Sequence, residues 1–129
     1  VRAVVWVSAW EQDCCGEEVA VGDEVRWPAL PVADGGPLAA VLARPGGDVV
    51  VPTHAQDRHE CGSTAVAGVV VGVTEVRCDW APAPGRPGTM EPVPGSARLR
   101  AVERVPGSPA SLDERDARDS PDGWLVELA

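Results

Sequence analysis

The chain has 129 residues, room for one domain and one modest core. With 44% hydrophobic residues it is not compositionally disordered. Its formal net charge of −9, with no basic run, argues against nucleic acid as the main partner, because neutralising phosphates needs a basic surface. No apolar run reaches the ~20 residues of a membrane-spanning helix.

The core materials are narrow. Phe, Tyr, Ile, Lys and Asn are absent, so Val, Ala and Leu must fill the interior and the five Trp supply all the aromatic mass. Val1–Ser8 is Val-rich and reads as a strand covered on both faces. Because Val1–Trp10 has no basic leader, it reads as a strand and not as a signal peptide, and the expected compartment is the cytoplasm. In that compartment the four cysteines are expected as thiols or metal ligands rather than disulfides.

The stretch Trp10-Glu11-Gln12-Asp13-Cys14-Cys15-Gly16 forms a corner, and Gly16 is expected to turn it with a positive φ. After it, Val19–Val21 alternates into the turn dipeptide Gly22-Asp23. Glu24–Trp27 continues as a strand with Val25 and Trp27 inward and Glu24 and Arg26 outward, and Pro28 and Pro31 are expected to end it. Leu38–Ala43 is ambiguous between helix and strand, and Asp48–Val51 is a short strand. Pro52–Thr64 is a loop that carries both histidines. Val66–Trp80 is the longest strand signal. Alternation puts Thr74, Val76, Cys78 and Trp80 toward the core and Glu75, Arg77 and Asp79 outward, with Gly68 and Gly72 marking bulges or bends. Ala81–Ser96 is expected to be a Pro/Gly loop without regular structure. Ala97–Val105 is a strand with Leu99 and Ala101 inward. Pro106–Asp122 is a charged, flexible loop, and Gly123–Leu128 is a closing strand with Trp124, Val126 and Leu128 on one face.

About six short strands, Pro/Gly turns and almost no helix predict an all-β fold, a small partly open barrel of the OB or SH3-like type spanning residues 1–129. The residues Trp6, Cys14-Cys15-Gly16, Val21-Gly22-Asp23-x-Val25-x-Trp27, His59 with Gly62, Cys78, Val93-Pro94-Gly95-Ser96 and Gly123–Leu128 together resemble a family of small uncharacterised actinobacterial proteins. The resemblance implies a bacterial source and one compact domain, and no reaction. The family carries adjacent histidines before the glycine, where this chain reads His59-Glu60-Cys61-Gly62.

Three constellations are candidates for function. Cys14, Cys15, His54, His59, Cys61 and Cys78 are donors suited to zinc. His59-x-Cys61 would supply two ligands, Cys14 or Cys15 a third and Cys78 the fourth. The paired Cys-x-x-Cys knuckles of many structural zinc sites are absent, and the competing reading makes Cys14, Cys15 and Cys78 small buried hydrophobes. A thiol nucleophile at Cys14 or Cys15 with His59 is the second candidate, but flanking Asp13, Glu17 and Glu18 would raise the thiol pKa and not lower it. The third is a binding face. With no Phe or Tyr, most Trp must be core, and Trp10 is expected to be the exposed one, close to Cys14, Cys15 and His59. The expected function is a binding or accessory module for a protein or small ligand. The alternative is a small metal- or thiol-dependent enzyme using Cys14/Cys15, His59 and Cys61.

Overall fold

In the computed structural model the described residues are 3–9, 12–13, 16–31, 49–52, 64–108 and 121–129. The expected Leu38–Ala43 element, nearly all of the histidine loop and most of the Pro106–Asp122 loop lie outside them.

The elements they form are ten strands: β1 (Ala3–Ser8), β2 (Val19–Ala20), β3 (Glu24–Pro31), β4 (Val49–Pro52), β5 (Thr64–Arg77), β6 (Trp80–Pro82), β7 (Met90–Pro92), β8 (Arg98–Val102), β9 (Arg104–Val105) and β10 (Gly123–Leu128). The all-β class is as expected. Six strands make one sheet in the order β10-β1-β4-β3-β5-β8, and β10 also pairs with β5, which brings the curled sheet round on itself. All pairs are antiparallel except β1 with β4. The short pairs β2–β9 and β6–β7 stand outside the main sheet. Among the described residues no helix is long and apolar enough to cross a membrane.

The curl depends on β5. Its first half pairs with β3, from Ala29↔Thr64 to Glu24↔Val69, and its second half with β10 and β8. Between Leu128↔Val70 and Glu127↔Gly72 the register slips, so Val71 is an extra residue. This is the bulge expected beside Gly72, and a bulge bends a strand and increases its twist. The Gly22-Asp23 turn docks on it: Gly22 N donates to Val70 O and Val70 N to Asp23 O, both at 2.8 Å.

The bulge also shifts which residues face inward. Val70 and then Val73 and Glu75 lie on the core side with Val5, Val7, Trp124, Val126 and Leu128, and Val25, Trp27 and Val102 pack against that core. Glu24 and Arg26 are exposed, as their alternation predicts. Val76 is buried too, but in a second, smaller cluster on the other face with Leu125, Trp6, Val4 and Ala97. β10 is therefore covered on both faces, and Gly123 is where this is tightest. A Cβ there would lie 2.5 Å from the Trp6 ring and 2.5 Å from the Val7 carbonyl oxygen.

Four expectations are corrected. Glu75 is buried because the extra residue at Val71 carries it to the core side. Leu99 and Ala101 are exposed: they lie on the Val76 face of β8, an edge strand of the sheet, and Val102 and Val105 turn to the core instead. Pro28 does not end β3, which runs on to Pro31, because each antiparallel residue directs its N–H to only one neighbour, so a Pro removes one ladder bond and leaves the strand intact.

The fourth is Ala81–Ser96, which holds the β6–β7 hairpin and three turns. In Ala83-Pro84-Gly85-Arg86, Arg86-Pro87-Gly88-Thr89 and Val93-Pro94-Gly95-Ser96, the fourth residue's N–H donates to the first residue's carbonyl at 3.1–3.2 Å. The glycines have φ of 71°, 80° and 75°. A positive-φ Gly at the third position is what a type II turn requires, and Pro is common at its second.

Candidate functional site

Of the residues singled out from the sequence, Trp10, Cys14, Cys15, His54, His59 and Cys61 lie outside the described residues, so the meeting of the Cys-Cys-Gly corner with the His59–Cys61 loop does too. Cys78 is described. Among the described residues no group of three or more His, Cys, Asp or Glu is placed to hold a metal ion.

The described part of the corner is organised by Gln12, which sequence reading passed over. Its side chain is buried, and Nε2 donates to Glu17 O at 2.7 Å and to Pro106 O at 2.8 Å. Gly16 N donates to Gln12 O at 3.0 Å. Gly16 does not have the positive φ expected of it, and a Cβ there would meet the Gln12 amide, which would have to shift. Ser108 completes the junction: its N donates to Gly16 O at 2.9 Å and its Oγ to Asp13 O at 2.8 Å. One buried amide thus ties the corner to the chain leaving β9.

The second organised locus is Asp122, at the start of β10. Its backbone N donates to Val76 O at 2.9 Å and its carbonyl accepts from Ala9 N at 3.0 Å, which anchors it between the ends of β1 and β5. Its carboxylate then accepts from Cys78 N and from Trp80 Nε1, both at 2.7 Å. The Cys78 thiol is half-buried beside this carboxylate. Burial pushes the thiol pKa up, and the Asp122 charge and hydrogen bond push it further, to about 11. At neutral pH Cys78 is a protonated, weakly reactive thiol.

Trp80 was expected in the core and is not there. It is 49% exposed. On the hairpin Trp80 is opposite Pro92 and Pro82 opposite Met90, so these four share one face, and Met90 is 53% exposed. Asp79 N donates to Ser96 Oγ at 3.0 Å, Ser96 Oγ to Val93 O at 2.6 Å, and Arg98 pairs with Asp79 at 2.9 Å. The hairpin base is therefore held by polar contacts while its apolar face points to solvent. Pro121-Asp122-Gly123 ahead of an apolar strand was the signal that could have marked Asp122, as a turn residue that bonds nearby backbone.

Among the described residues Glu75 is the one buried ionisable group. Its Oε1 accepts from Arg77 Nε at 3.0 Å and its Oε2 from Arg100 at 2.9 Å. Both oxygens are engaged by cations, as a buried carboxylate requires. It is a structural pair and offers no general base.

The described residues thus define a small β protein with a half-exposed aromatic, bonded through its N–H to Asp122, on a hairpin outside the main sheet. The chain belongs to a family of unknown function (DUF6578), whose model matches residues 1–129. No curated protein and no solved structure matches it.

Proposed function

We propose that this chain is a bacterial binding module of the small-barrel, OB or SH3-like kind, and that it receives a protein partner on the outward face of the β6–β7 hairpin. The observation that carries the reading is Trp80: a large aromatic, half exposed, whose only polar atom is already bonded to Asp122. Such a ring offers contact area at little entropic cost, because its rotamer is fixed before binding. Trp is also the residue type most enriched among interface hot spots. Pro82 and Met90 extend the apolar face, and Met adapts to irregular partners. The curled sheet with one long bent strand supports the small-barrel kind. The absence of Lys, Ile, Phe, Tyr and Asn supports a GC-rich, actinobacterial source.

The test is selection of a random-peptide library on the wild-type protein. Selected peptides should bind at least ~10-fold more weakly to Trp80→Ala, the loss of a hot-spot side chain, with the melting temperature little changed. Peptides indifferent to both Trp80→Ala and Met90→Ala would place binding elsewhere and overturn the reading.

A further inference from the structure

From the electrostatics around Trp80 we infer that the partner segment is basic, and that the indole face of Trp80 receives a Lys or Arg side chain. The inference rests on the hairpin being the contact face and adds the chemistry of what it contacts.

The indole N–H is the ring's one donor, and Asp122 Oδ1 occupies it at 2.7 Å. Trp80 therefore has no donor left for a partner's carbonyl or carboxylate, and what it presents is its face. That face carries the negative end of the aromatic quadrupole, and Trp binds cations best of the aromatic residues. A carboxylate at the N–H edge polarises the ring further in the same direction.

Among the described residues no cation bonds the Asp122 carboxylate either. Among the described residues its carboxylate accepts from the Cys78 N–H and the Trp80 N–H, neither of which is charged. The other ion pairs nearby are closed: Arg98 is held by Asp79, and Glu75 by Arg77 and Arg100. A carboxylate with no bonded cation among the described residues thus sits beside an exposed aromatic face, on a chain of net charge −9. An approaching ammonium or guanidinium meets both, and the overall charge steers it in. An acidic or phosphate-bearing partner is opposed by the same field.

The experiment compares two fluorescein-labelled nonapeptides that differ only in carrying four Arg or four citrullines, the neutral isostere. Binding to the full chain is followed by anisotropy at 0.15 M and 0.5 M salt, for wild type, Trp80→Leu and Trp80→Phe. High salt screens the diffuse charge and leaves a close contact largely intact. The expected result at 0.5 M is a roughly two- to five-fold preference of wild type for the Arg peptide, the range of one exposed cation–π contact. Trp80→Leu, which keeps apolar bulk but no quadrupole, should lose the preference, and Trp80→Phe should keep part of it. In parallel, on the unmodified protein, the Trp80 indole N–H resonance should move with the Arg peptide and not with the citrulline peptide.

If both peptides bind wild type equally and lose affinity together on Trp80→Leu, the basic-partner inference is overturned while the hairpin remains the contact face. If the Arg preference survives Trp80→Leu and the indole resonance is still, net charge alone is responsible and the inference fails. If neither peptide's binding depends on Trp80, both readings fail. Self-association of the chain that Trp80→Leu abolishes would identify a second copy as the occupant and refute a basic partner.

Discussion

Replacing Gln12 tests whether one buried amide holds the corner of this fold. Gln12→Met keeps the side-chain volume and removes both Nε2 donors. The carbonyls of Glu17 and Pro106, now served at 2.7 and 2.8 Å, are left without them. Each neutral hydrogen bond contributes about 1 kcal/mol net, more when the orphaned acceptor stays buried, so the expected loss is about 2 kcal/mol. At ~2.1 cal/mol/K per residue, a 129-residue chain has an unfolding entropy near ~0.27 kcal/mol/K. The melting temperature should then fall by about 7 °C in a calorimetric scan. Gln12→Glu should cost more at pH 7, because the introduced carboxylate faces two carbonyl oxygens with nothing to donate. Its folded pKa is raised, so its protonated form, which donates once, is favoured on folding. The deficit against wild type should therefore narrow as pH falls toward ~4 and widen as pH rises through the raised pKa. A Gln12→Met melting point within ~2 °C of wild type, or a Gln12→Glu deficit that does not shrink at low pH, would refute the role given to the amide.

Gly123→Ala should destabilise by about 1–3 kcal/mol, the usual cost of overpacking, because one of the two groups its Cβ meets is the Val7 carbonyl and backbone yields little; equilibrium urea unfolding measures it, and a neutral result would mean that Trp6 moves aside freely. The Cys78 thiol should label slowly at pH 7 and faster as pH approaches about 11, with the site followed by peptide mass spectrometry; its raised folded pKa contributes stability that is present below the unfolded value of 9.0 and lost between 9.0 and about 11. Rapid labelling at pH 7 would contradict the Asp122 contact. If the corner and the histidine loop bind zinc, elemental analysis of the purified chain should find about one ion per molecule, and Cys14→Ala, Cys15→Ala, His59→Ala or Cys61→Ala should lower that content; protein purified without chelator and carrying no zinc would remove the metal reading.

Much of this protein is legible in residue order alone. The Gly22-Asp23 turn, the alternation of Glu24–Trp27, the inward set Trp124, Val126 and Leu128 and the bulge beside Gly72 all follow from local rules, because turn chemistry and two-residue periodicity act within a few residues. The three Pro-Gly turns obey the same local rules, but Ala81–Ser96 reads as a structureless loop until the fourth residue of each turn is seen to bond to the first.

What needed the tertiary structure is which set of a strand's residues is covered. Periodicity separates Thr74 and Val76 from Val73 and Glu75, but the cover over each set comes from strands distant in sequence. One extra residue at Val71 carries Glu75 inward. Trp6 and Ala97 cover Val76 and Leu125 on the second face, and β8 is left at an edge with Leu99 in solvent. The exposure of Trp80 is decided in the same way, since the Asp122 that holds its N–H is 42 residues away in the chain. Contacts at that separation leave no local trace in the sequence, because they depend on how the sheet curls and not on which residues are neighbours.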